Sequence, residues 1–362
     1  MTDFCPAKQA STHTHTHTHT ARDIGIDLLK TLAIFGVIVI HTSAYAYVHP
    51  PGSFDWLSAL SWGVLTRASV PVFFMCSGAL LLNPEKKLTI KSIYTKYLPR
   101  LLAAMFIWAL LYKVFHGLVS DSFSADDLLL WLKELLLFNH EQHLYYLHIA
   151  LLLYAMLPVL RVFVKNAGKA ELQYALCIWL LLGIIYPTCK SFWPLSLLSG
   201  IPLQWMLNMT WSALGYALLG YYLKAYPLGQ KISALLMSFG LVFIYAITVC
   251  LSDIKGSLDT RFLEGMSIGV ACLATGVWGI AQHFAQQLKK NAAKFVSYLS
   301  QASFCIFLVH MFFVFIFDGI GLGVTSFPCI ISVPLLSMLN LVCCCAVYFF
   351  LSKIPLVKKW LI

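Results

Sequence analysis

Charge is scarce in this sequence: only 11% of its 362 residues are Asp, Glu, Lys or Arg, against roughly 25% in soluble domains. Acidic residues are the scarcer sign, 15 against 25 basic ones. A chain this poor in charge and 60% hydrophobic is excluded from the ordinary water-soluble classes and reads as an all-α, polytopic membrane protein. The net charge of +10 is what cytoplasmic loops of such a protein produce, so no nucleic-acid partner is expected. No short apolar core ending at a small-residue site is present, so a cleavable signal peptide is not expected. No internal repeat is visible either, which disfavours the commonest transporter folds. The 11 cysteines do not supply a disulfide framework. Most, among them Cys177, Cys250, Cys272, Cys305 and Cys343 to Cys345, lie in apolar runs and behave as small hydrophobes. Cys189 and Cys329 fall in expected outer loops, where two unpaired thiols are preferred to a bridge.

What is present is a series of long apolar segments, about ten: 24–48, 58–82, 101–119, 144–163, 171–187, 203–223, 232–252, 262–284, 296–317 and 329–351. Residues 1–21 are a polar tail containing HTHTHTHT, read as disordered and without a closed metal-ligand set. Residues 22–362 form the membrane domain. Basic residues orient it. With the N-terminus inside, inner segments hold 18 Lys and Arg and outer loops hold 4, leaving Lys30, Arg67 and Lys113 within spans. The positive-inside rule then puts both termini in the cytoplasm. The longest outer loop contains SADDLLLWLKELLLF, in which Ser124 can cap an amphipathic helix lying on the interface.

The first span is the unusual one. Asp27, Lys30 and His41 lie inside it, and ionisable groups at membrane depth are functional candidates by default. Lys30 and His41 are about three turns apart, within ~20° of one face and roughly 16 Å along the axis. Asp27, one turn before Lys30, is placed to pair with it. Arg67 lies mid-segment near Pro71, where a broken helix can line a polar cavity. A short stretch then carries Lys86, Lys87, Lys91, Lys96 and Arg100.

Taken in order, DLLKTLAIFGVIVIH, VPVFFMCSGALLL, KYLPRLL, HLYYLHIALLLYAMLP, LGYALLGYYL and SFCIFLVH resemble the acyltransferase 3 family of integral-membrane acyltransferases. The resemblance covers most of residues 22–317. It is nearest to members that acetylate enterobacterial surface polysaccharides such as common antigen. It implies transfer of an acetyl group from cytoplasmic acetyl-CoA to a hydroxyl of a surface glycan or lipid-linked saccharide, by an enzyme of the bacterial inner membrane. Membrane lipids are the other expected partner, and no metal is expected. Where the family often has arginine, this chain has Lys30 and Lys96, and lysine offers a point charge rather than a bidentate fork.

Such a transfer needs a base for the hydroxyl proton and groups that stabilise charge on the thioester oxygen. His41 is the candidate base. Lys30 either orients the donor or merely holds the first helix through Asp27; the two are compatible. Arg67, Lys96 and Arg100 are candidates for acyl-CoA binding. Ser77 is either an acyl-carrying nucleophile or, the preferred reading, a small residue in a helix seam. His143 and Tyr145 are candidate acceptor contacts, with an interfacial aromatic role nearly as good. His310 is a supporting residue, whether as a core hydrogen bond or in the chemistry. The rival function is a transporter or flippase of a lipid-linked saccharide, using the same buried charges. The enzymatic reading expects Lys30 and His41 to face one shared passage.

Overall fold

The computed structural model describes residues 22–119 and 125–362; the His/Thr tail, the Ser124 cap and the side chain of Asp126 lie outside the described residues. Every regular element among them is helical. Nine are long and apolar enough to cross a membrane: Ile24–Val48, Phe54–Leu81, Ile90–Val119, Gln142–Asn166, Lys169–Cys189, Gln230–Lys255, Ile268–Ala285, Lys290–Gly319 and Cys329–Leu351. A tenth apolar helix, Met209–Ala225, has 17 residues, about 26 Å, at the short end of what spans a bilayer.

Local chemistry sets several of these limits. Asp23 caps the first helix by accepting the Ile26 N–H at 3.1 Å, with Asp27 in the first turn, where a carboxylate suits the helix dipole. The second span is two helices, Phe54–Leu65 and Ser69–Leu81. The break falls at residues 66–68, just before Pro71, whose missing N–H is harmless in a first turn. Two boundaries start later than the sequence reading. Asn208 caps the helix expected from 203, and Ser267 caps the one expected from 262. Glu264 is therefore in a loop.

The first helix is the axis of the bundle. It packs against Ser69–Leu81, Ile268–Ala285, Lys290–Gly319 and Cys329–Leu351, burying Ile26, Leu29, Ile34 and Ile38. The closest seam joins Ser69–Leu81 to Met209–Ala225. A methyl group at Gly78 would lie 1.8 Å from the Ala217 carbonyl oxygen, and one at Gly220 would lie 2.1 Å from that of Met75. Only hydrogen fits there, so the two backbones touch.

One face of the bundle collects the first helix's start and the Lys- and Arg-rich connections. Lys224 pairs with Asp23 at 2.6 Å, Arg22 donates to the Ser297 carbonyl at 3.1 Å, and Arg100 donates to the Ile362 carbonyl. We call this the basic face. At the other face the Ala125–Leu136 helix is tied back by a 2.6 Å Lys113–Glu134 pair, with Leu129 and Leu136 exposed. Cys189 and Cys329 are both free thiols.

Candidate active site

Three imidazoles from three separate segments meet inside the bundle. His41 comes from the first helix and His310 from Lys290–Gly319. His143 comes from the tight turn Gln142–Leu144 that opens the Tyr145–Asn166 helix. Ring centroids are 5.1 Å apart for His41 and His310, 5.3 Å for His143 and His310, and 6.2 Å for His41 and His143. His310 and His143 are buried, at 0% and 3% exposure. The Nδ1 of His310 is 2.7 Å from the Phe307 carbonyl oxygen. A carbonyl only accepts, so Nδ1 carries the proton, and in the neutral ring Nε2 is left as a base. That Nε2 and the Nε2 of His143 are both buried without a hydrogen-bond partner among the described residues. Asn340 fixes the same turn by donating to the His310 carbonyl at 2.9 Å. Tyr112 packs edge-on to His143, 5.0 Å between centroids, and its hydroxyl donates to the Leu308 carbonyl at 2.8 Å.

On the basic-face side of this cluster lies a cavity of about 350 Å³. Lys30, Lys86, Tyr97 and Arg100 supply its polar wall, Cys76 and Ser77 a second wall, and Tyr146 and Phe307 its inner end. The ring of Phe307 also lies 5.9 Å from that of His143 and 6.1 Å from that of His310. Phe307 therefore stands between cavity and imidazoles. His41 does not line the cavity. The single passage expected for Lys30 and His41 is thus interrupted by an aromatic partition, which the spacing of the two residues along one helix could not disclose.

The pairing of Lys30 with Asp27 is a correction. Asp27 accepts from Arg22, from Ser297 at 2.8 Å and from Ser300 at 2.7 Å. Those partners come from the helix end and from a neighbouring helix, and they satisfy the carboxylate where it is buried. Among the described residues Lys30 has no hydrogen bond or ion pair, and its side chain is left to the cavity.

The other candidates divide between the two sides. Arg100 lines the cavity, with its guanidinium 5.8 Å from the Phe304 ring centre. Lys96 is exposed on the π-helical turn Ile93–Tyr97 and does not line it. Arg67 is not there at all. Its Nε donates to the Leu263 carbonyl, and Tyr47, Tyr145 and Glu264 are its electrostatic neighbours. Tyr145 stands with Arg67. Ser77 lines the cavity, but its hydroxyl donates to the Phe73 carbonyl at 3.0 Å, and Gly78 beside it forms the close seam.

Sequence reasoning passed over Arg161, treating it as a topology signal. It donates to the carbonyls of Leu81 at 2.5 Å, Asn83 at 2.8 Å and Lys86 at 2.5 Å, clasping the turn that carries Lys86 to the cavity mouth. Partial desolvation, and next the Arg161 guanidinium, hold the exposed Lys86 ammonium below the usual lysine range. Phe307 was also passed over, although Phe307 and His310 in SFCIFLVH are three apart and share a helix face.

A membrane-spanning helical bundle with a cation-lined cavity beside buried imidazoles is a frame in which group transfer is possible. The Acyl_transf_3 family profile, described as an acyltransferase domain, matches residues 23–352, and the chain belongs to that family. It is a membrane acyltransferase. No curated protein and no solved structure matches the chain.

Proposed function

We propose that this enzyme moves an acetyl group from acetyl-CoA to a hydroxyl of a surface polysaccharide or lipid-linked saccharide. The observation carrying this reading is the arrangement around Phe307. It closes a cavity lined by Lys30, Lys86 and Arg100, and through its carbonyl it sets the tautomer of His310 in the histidine cluster. We take the basic face as cytoplasmic by the positive-inside rule, and the membrane as the inner membrane of a bacterium from the family resemblance. There the cations at the mouth meet the phosphates of CoA, and the cavity takes its extended pantetheine arm.

In the transfer, the thioester passes the displaced Phe307 ring to reach the cluster, where an imidazole, His41 foremost, takes the proton as the acceptor oxygen attacks the thioester carbonyl. The new C–O bond forms and, as the tetrahedral species collapses, the C–S bond breaks. The proton returns to the sulfur, releasing CoA as the thiol. Arg67, outside the cavity lining and held on the Leu263 carbonyl, is the cation we assign to the developing oxyanion. This differs from the acyl-CoA binding expected of Arg67 from the sequence.

The test is His41→Ala, with membrane abundance measured alongside. Loss of O-acetyl esters from surface glycans and of acceptor-dependent CoA release supports the reading. Retained activity removes His41 from the chemistry. Translocation of a saccharide without consumption of acetyl-CoA would instead support the transporter reading.

A further inference from the structure

The face opposite the basic one has a recess of its own. It is lined by Thr42, Tyr45, Asp318, Gly323 and Asn340, with Val314 among its apolar walls. Its volume is about 20 Å³, room for one hydroxyl or one water. Tyr45 and Asp318, both exposed, form its mouth.

Three relationships tie this recess to the histidine cluster. Thr42 follows His41 in the chain. Val314 lies one turn beyond His310 on the same helix. Asn340 lines the recess and donates its amide to the His310 carbonyl. The Lys290–Gly319 helix therefore presents three levels in order: Ser303 and Phe307 in the large cavity, His310 in the cluster, and Val314 to Asp318 in the recess.

We infer that this recess is the acceptor subsite, taking a polyhydroxylated ligand with one hydroxyl at its closed end and neighbouring hydroxyls on Asp318 and Tyr45. A hydroxyl-bearing ring needs acceptors as well as donors, with an aromatic face beside them. The Asp318 carboxylate, the Tyr45 phenol and the Thr42 hydroxyl provide that set in a small volume, while the Asn340 amide is held by Cys344 and the His310 carbonyl. The inference rests on the transfer reading above and assigns the acceptor to residues other than His143 and Tyr145. Gly323 makes it testable without disturbing the fold. Its backbone, at φ −74, suits any residue, yet a Cβ there would lie 2.8 Å from the Asp318 carboxylate. Alanine at this position pushes the carboxylate out of place.

The experiment uses the full chain. Asp318→Asn and Gly323→Ala are each produced in cells, and O-acyl esters on glycans extracted from those cells are quantified by mass spectrometry. Each purified variant is also assayed for thermal stabilisation by CoA. Ester levels lowered about tenfold or more, with normal membrane abundance and an unchanged CoA-induced shift, are the expected result. Unchanged ester levels in both variants overturn the assignment. So does loss of the CoA shift alongside the esters, because the defect would then not be confined to the acceptor. If the unsubstituted protein forms no glycan esters, the transfer reading itself fails, and this outcome is distinct from the other two.

Discussion

His310 and Phe307 are coupled through one hydrogen bond, Nδ1 to carbonyl oxygen at 2.7 Å, so the residue that ends the donor cavity also orients an imidazole behind it. Replacing His310 with Gln keeps a donor near that carbonyl but removes the basic nitrogen. We expect kcat for transfer to fall by about 10²–10⁴-fold while stabilisation by CoA persists. Single-turnover transfer from acetyl-CoA measures this directly, and an unchanged rate would leave His310 a core residue.

Phe307 is expected to control water. Phe307→Ala removes the ring between the cavity and the imidazoles, leaving a hole that joins the two. Acetyl-CoA hydrolysis without acceptor should then rise relative to transfer, read as CoA release in the absence of glycan. If hydrolysis does not rise, the ring is not the barrier.

Lys30 has its side chain in the cavity and no protein partner among the described residues. Lys30→Met should therefore weaken donor use by about 5–100-fold, the worth of a charge-assisted hydrogen bond, with little effect on thermal stability. Asp27→Asn should do the reverse. It disturbs a carboxylate held by Arg22, Ser297 and Ser300, so it should lower the unfolding temperature more than the donor affinity. Parallel melting curves and donor titrations separate the two.

Lys86 carries a pH signature. Its ammonium is charged below its pKa and neutral above it, and partial desolvation with Arg161 nearby holds that pKa beneath the usual 10.5. Donor KM should therefore rise on the alkaline side with an inflection below that value. Lys86→Arg should remove the inflection, since arginine stays charged throughout. A KM profile from pH 7 upward is the check.

Gly78 tests the seam. With backbone 1.8 Å from where a Cβ would sit, Gly78→Val should cost at least about 1–3 kcal/mol of stability. Gly323→Ala, which meets only a side-chain carboxylate, should cost much less. Detergent melting temperatures of the two variants rank them.

How much of this was legible beforehand follows from the range over which each signal acts. The ten apolar segments were readable because span length and polarity are local properties, and the one helix falling short begins where Asn208 supplies a cap. Lys30 and His41 stood out because charge at membrane depth is conspicuous in any sequence. Their neighbours did not, because convergence is a property of packing. His143 and His310 are 167 residues apart in the chain, and nothing local says their rings meet at 5.3 Å. Asp27 was matched to Lys30 because both lie on one helix. The bundle instead brings Ser297 and Ser300 to it from a helix more than 260 positions later. Arg161 was hidden by its own chemistry, since a guanidinium on a loop and one gripping backbone carbonyls read alike in one dimension.

The glycine seam has a consequence for substrate choice. Cys76 and Ser77 belong to the helix that Gly78 and Gly220 press against its neighbour, so main chain rather than side chain fixes the position of that wall. The side chains facing the void are therefore free to change bulk, which on the proposed reading sets the length of acyl group admitted, while the wall itself stays where the two backbones hold it.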